Sequence, residues 1–235
     1  MGQCETGVDA MSVPQRDGSD GPWQSPPPPR APVFNAMPPA VLLIALSIAG
    51  VSLLGQVWPD FQRWVFNAGI FIAAERGAAL PSQPLGPVAP VFLHVYIHAG
   101  LLHIAMNLAI LVATGRAVSQ RLGPGLLGSA GFIFLFFACA ATGASLEAFL
   151  HQGPPVSMAG ASTAVSGLIA AAGWVRGGWR GMAGLALPWI GINLVIGLLG
   201  DMMPIPIAWL GHIGGTLGGI VLTPLVIAVF EEQPD

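Results

Sequence analysis

Ser162, His212, His103 and Asn107 are the residues on which chemistry can be built, because each is a polar side chain within an otherwise apolar run. Polar groups inside such runs are costly and usually mark a site. A serine hydroxyl is a weak nucleophile until a neutral imidazole within hydrogen-bond reach accepts its proton, so Ser162 and His212 together read as a dyad for acyl transfer. The tetrahedral intermediate of that chemistry needs donors aimed at its oxyanion, each worth about 10² to 10³ in rate. His103, Asn107 and the backbone N–H of Ser162 are the candidate donors, with Gly160 grouped with them as an oxyanion- or substrate-binding position. An acidic third member is not evident; Glu147 reads as a carboxylate at a membrane interface. The reaction requires no cofactor.

The elements that must position these groups are helices in a bilayer. The chain has 235 residues, 54% apolar and 8% charged, with a mean hydropathy of +0.71. A soluble domain carries roughly a quarter charged residues. The formal charge is −3, and eight arginines without a lysine form no basic stripe, which argues against nucleic acid as a partner. Cys4 and Cys139 are too few and too far apart for a disulfide framework or a metal spacing. His94, His98 and His103 do not share one helical face and no HExxH accompanies them, so a metal site is not expected.

Residues 1–38, with Gly, Ser, Asp and the run Pro26 to Pro29, are expected to form a disordered cytoplasmic tail. Met37 offers an alternative start of translation. Six apolar runs follow, at 40–58, 93–115, 126–149, 157–175, 182–200 and 206–230, each near the roughly 20 residues that cross about 30 Å of hydrocarbon. The expectation is an all-α membrane protein, a six-helix domain over 39–231. Within the loop 59–90, the apolar patch Val65 to Ala74 is too short to span and is placed at the interface. Arg30, Arg116, Arg121, Arg176 and Arg180 fall on one side if the helices alternate, which puts both termini in the cytoplasm. The absence of lysine alongside abundant Ala, Gly and Pro favours a bacterial source, hence a bacterial inner membrane.

Every polar cluster then opens an even-numbered helix on the extracytoplasmic side. Counting from Pro155 and Pro206, Ser162 and His212 lie roughly 10 Å into their helices, at a shared depth. His103 and Asn107, four apart, share a face. Gly211, Gly215 and Gly219, with Gly214 and Gly218 beside them, leave the last helix a face free of Cβ atoms for close approach. Thr163 and Ser166 are expected to bond back to carbonyls of their own helix.

The run "HVYIHAGLLHIAMN" from His94 through Asn107, "GAST" at 160–163 and "GHIGGTLGG" at 211–219 resemble the rhomboid intramembrane proteases, over about residues 40–230. The resemblance implies a serine endopeptidase with Ser162 as nucleophile and His212 as base, His103 and Asn107 on the oxyanion side, and His94 and His98 in structural roles. It implies single-pass transmembrane proteins as substrates, cut near the extracytoplasmic face. "GRAVSQRLGPG" at 115–125 is similar to the family's turn after its second helix. The sequence departs from the pattern in three ways. Thr163 follows the nucleophile where glycine is usual, Ser166 stands where an aromatic ring commonly packs against the catalytic histidine, and Ser119 replaces a glutamate. The alternative is a non-catalytic rhomboid-like protein that binds membrane clients. A small transporter is a third reading, for which paired inverted repeats or broken helices are not found. The oligomeric state is not legible.

Overall fold

The computed structural model describes residues 37–232 apart from 76, 153 and 203–206. The tail expected over 1–38 therefore lies outside the described residues except for Met37 and Pro38. The elements in order are α1 (Pro39–Val57), α2 (Pro59–Gly69), β1 (Phe71–Ala73), α3 (Ala89–Leu93), a 3-10 turn His94–Tyr96, α4 (Leu101–Leu122), α5 (Leu126–Leu150), β2 (Val156–Met158), α6 (Ser162–Leu199), a second 3-10 turn Gly200–Met202, and α7 (Trp209–Phe230).

Among the described residues, α1, α4, α5, α6 and α7 are long and apolar enough to cross a membrane. Helix α6 has 38 residues, which at about 1.5 Å each is nearly twice the hydrocarbon thickness. It does not run straight. Gly178 adopts φ 55°, ψ −142° and breaks the helix together with Gly177, a left-handed conformation that costs glycine little. The two limbs, 162–176 and 179–199, then double back so closely that a Cβ on Gly173 would stand 2.5 Å from the carbonyl of Gly181. Taken as two limbs, α6 accounts for two of the six apolar runs.

Three boundaries differ from expectation. The second run spans 101–122 rather than 93–115, because the His94 carbonyl accepts N–H groups from Ile97 and Gly160 and the chain leaves the helix at Ile97 (φ −98°, ψ 126°). Its other end stays helical through "GRAVSQRL", so the turn is only Gly123 to Gly125. The fourth run begins at Ser162, since Val156–Met158 instead pairs antiparallel with β1, Phe71 opposite Met158 and Ile72 opposite Ser157. The patch Val65 to Ala74 is thus helix through Gly69 and strand over Phe71–Ala73.

Glycines set the packing of the bundle. On α7, a Cβ at Gly214 would lie 2.8 Å from the Thr142 carbonyl on α5, and one at Gly219 would lie 2.7 Å from the Gly167 carbonyl carbon on α6. One helix thus lodges against two neighbours through two glycine faces. In lipid, where apolar burial gives helices little reason to associate, such close backbone approach is the main source of attraction. Around it pack Ile44 and Ile48 of α1, Leu111 of α4, Phe132 and Phe136 of α5 and Leu168 of α6, all buried. Gly219→Ala is expected to destabilise the fold by about 1–3 kcal/mol through overpacking. Gly191→Ala, which meets open space, should be neutral or up to about 1 kcal/mol stabilising. Thermal unfolding of both variants in detergent separates the two effects, and equal shifts would discount the glycine contact.

The ends of α4, α5 and α7 opposite the polar cluster are tied together. Arg121 pairs with Glu231. The Glu232 carboxylate accepts the N–H groups of Gly125 (2.8 Å) and Gly128 (3.0 Å), and its own N–H donates to the Leu122 carbonyl at 2.8 Å. The α4–α5 turn is therefore capped from the far end of the chain. The backbone donors of Gly128 and Gly125 hold the Glu232 carboxyl below its ordinary 4.5. A depressed carboxyl stabilises fully above its unfolded value and loses that contribution as pH falls through the folded one. Glu232→Gln should lower Tm at neutral pH and match wild type well below pH 4.5. A Tm gap independent of pH would mean that the charge is not what holds the turn.

Candidate active site

Ser162 is the first residue of α6 and His212 lies in the first turn of α7. Both sit at helix N-termini rather than inside their helices as counting from the prolines implied. The shared level nevertheless holds: the Ser162 hydroxyl is 2.8 Å from His212 Nε2. What allows this is the contact one turn deeper, where Gly215 lies against the Thr163 carbonyl.

The approach to Ser162 is fixed by several bonds. The paired strands hold 156–158, and Met158 packs on Gly211. The Gly160 N–H donates to the His94 carbonyl at 2.9 Å, and Gly160 adopts φ 107°, a value that makes glycine the natural occupant. His94 Nδ1–H donates to the Pro90 carbonyl (3.0 Å), which leaves Nε2 to accept the Thr163 hydroxyl (2.9 Å). Burial pushes the His94 imidazole down to about 4, in keeping with that neutral tautomer. Thr163 therefore does not bond back to its own helix, as expected from sequence, but to His94. Ser166 does bond back, to the Ser162 carbonyl at 2.7 Å.

His103 and Asn107 both face Gly160. A Cβ there would be 2.7 Å from His103 Nε2 and 3.6 Å from Asn107 Nδ2. His103 Nδ1 accepts the Ala99 N–H at 3.4 Å, so a neutral His103 carries its proton on Nε2, the nitrogen turned to Gly160. Asn107 Nδ2 donates to the His103 carbonyl at 2.9 Å. All five sequence-derived site positions thus fall in one region: His103 and Asn107 lie against Gly160, two residues before Ser162, whose hydroxyl meets His212. His98 is apart from them: neither ring nitrogen has a hydrogen-bond partner among the described residues, although its ring lies edge-on to His103 at 5.1 Å. Burial, reinforced by the neighbouring His103, pushes it down to about 4.

Three neighbours of the site were missed or misread. Glu147 is buried, 3% exposed, and accepts the Gly211 N–H at 2.7 Å. Its carboxylate is turned into the protein, where it accepts a donor that α7 leaves unsatisfied at its start. Asn193 and Trp189, one turn apart on the second limb of α6, also reach the site. Asn193 Oδ1 is 2.7 Å from His212 Nδ1. The Trp189 ring lies 6.2 Å from the His212 ring, and its Nε1–H donates to the Ser166 hydroxyl at 2.9 Å. The aromatic ring absent at position 166 is therefore supplied by another limb, with Ser166 as its anchor. The signal in the sequence was an asparagine within an apolar run, four residues from a tryptophan.

An all-α bundle with a polar cluster at one end of its apolar helices is an integral membrane protein. A family model described as Rhomboid domain matches residues 86–229, more than half of the chain, and the protein belongs to that family. The match contains the whole polar cluster and leaves out α1 and α2. A comparison with curated proteins found no match.

Glu147→Ala leaves the Gly211 N–H buried without an acceptor, an expected loss of about 1–3 kcal/mol. Glu147→Gln keeps an acceptor oxygen and should lose less. Unfolding in detergent measures both, and an alanine variant as stable as wild type would mean the bond contributes nothing.

Proposed function

We propose that this rhomboid-family protein is an intramembrane serine endopeptidase, with Ser162 as nucleophile and His212 as general base. The observation that carries the reading is the 2.8 Å contact of the Ser162 hydroxyl with His212 Nε2, made between two helices that need not otherwise present polar groups to each other. In the first step Oγ attacks the substrate carbonyl while its proton passes to Nε2. Charge develops on the carbonyl oxygen, and His103 Nε2–H, the Asn107 amide and the Ser162 N–H are the donors assigned to it. Gly160, bare of a side chain, lets His103 and Asn107 come up against the chain just before Ser162. Nε2 then returns the proton to the departing amine. Water, activated by the same nitrogen, hydrolyses the acyl-enzyme and restores the serine.

The substrates are transmembrane segments of single-pass membrane proteins, entering from the lipid bilayer and cut near the extracytoplasmic face. A segment must unwind to reach Ser162, so those with Gly, Pro or small residues are favoured, their helices being cheapest to open. The arginine placement supports cytoplasmic termini, and the composition supports a bacterial inner membrane.

A fluorophosphonate probe should label detergent-solubilised wild type but neither Ser162→Ala nor His212→Ala. Cleavage of a reconstituted single-pass substrate should fall by at least about 10³-fold in both variants. Equal labelling of wild type and the serine variant would remove Ser162 as nucleophile. Folded wild type with neither labelling nor cleavage would favour the client-binding alternative.

A further inference from the structure

The amide of Asn193 touches two groups, and together they fix which way it points. Its Nδ2 donates to the Trp189 carbonyl at 2.9 Å, and its Oδ1 lies 2.7 Å from His212 Nδ1. Flipping the amide would set oxygen against oxygen at Trp189, so the oxygen belongs on the imidazole side. An acceptor at Nδ1 requires a proton there, which leaves the lone pair of a neutral His212 on Nε2, the nitrogen facing Ser162 Oγ. Asn193 is fully buried, 0% exposed, so its amide oxygen is shielded by the protein.

We propose that Asn193 is a positioning residue that completes a Ser162–His212–Asn193 triad, holding His212 in the Nδ1–H tautomer and in rotation for proton transfer. This rests on the serine-protease reading of the site. Asparagine fills the same role in Cys–His–Asn hydrolases, where nucleophile, base and orienting group are recognised by geometry and not by chain order. Orientation here comes from the second limb of α6, while the nucleophile comes from the first. The limb is itself pinned beside the site, since Trp189 Nε1–H donates to Ser166. Other ionisable groups near His212 are His103 on α4, within electrostatic reach, and Glu147 on α5, bound to the adjacent Gly211. Neither is hydrogen-bonded to Nδ1.

The test uses full-length protein in detergent with ¹⁵N-labelled histidine. In wild type the His212 signal should show a protonated Nδ1 and an unprotonated Nε2, whether or not a substrate is known. Asn193→Ala should mix in the other tautomer. It should also lower kcat on a reconstituted substrate by at least about 10-fold with KM little changed. Asn193→Asp keeps an acceptor, and its charge favours imidazolium. Its rate should recover at high pH, with the acid limb of the pH–rate profile moved up by about one unit or more. Folded Asn193→Ala with wild-type kcat or an unchanged His212 tautomer overturns the proposal, as does wild-type His212 protonated on Nε2. If Asn193→Ala does not fold, the wild-type tautomer and the Asn193→Asp profile still decide it. Absent fluorophosphonate labelling of wild type would instead defeat the protease reading, and the tautomer measurement would stand apart from it.

Discussion

Close approach of the α6 and α7 backbones is the constraint on which the rest of the structure depends. A serine side chain extends only a short way from its helix, so its hydroxyl meets an imidazole on a neighbour only if the two main chains almost touch. Gly215 against the Thr163 carbonyl and Gly219 against Gly167 provide that approach. Both contacts lie on the side of α7 that carries the first turn with His212, so helix packing and the 2.8 Å hydroxyl–imidazole contact are one requirement. A side chain at either glycine would separate the helices, and the site would open before any polar residue changed.

That requirement explains why the frame is secured at both ends. At the site end, Glu147 takes up the Gly211 N–H and the short β1–β2 pair holds the lead-in to Ser162. At the other end, Glu231 and Glu232 fasten the end of α7 to the α4–α5 turn. Small residues alone give helices freedom to slide in lipid, because their attraction is short-ranged and weakly directional. Directional bonds at the termini, where helices leave backbone groups unpaired in any case, fix the register without placing charge in mid-membrane.

Much of this was legible in the sequence. Apolar run length identified spanning helices, and the GxxxG-like spacing from Gly211 to Gly219 identified the packing face. Polar residues in apolar runs located Ser162, His212, His103 and Asn107, because lipid makes such residues informative. What failed was where helices begin. His94 and His98 are apolar-run neighbours in sequence, but the His94 carbonyl is diverted to Gly160, a pairing between segments far apart in the chain that no local pattern records. The role of Glu147 was hidden for the same reason: its partner lies 64 residues away in the chain.

The departures expected from sequence are answered inside the fold by residues from another segment. Position 166 carries a serine rather than an aromatic ring, and considered alone that removes a support from His212. In the fold, the ring arrives from Trp189 on the returning limb of α6, and the serine hydroxyl fastens its indole N–H. One helical turn further, Asn193 brings an amide oxygen to Nδ1, so the face that supplies the ring supplies the acceptor as well. Packing and tautomer control are then carried by a single limb whose own fold-back rests on Gly178 and on the close contact of Gly173 with Gly181. A change at that distant hairpin would reach His212 through two side chains on the limb, without touching Ser162, the imidazole, His103 or Asn107.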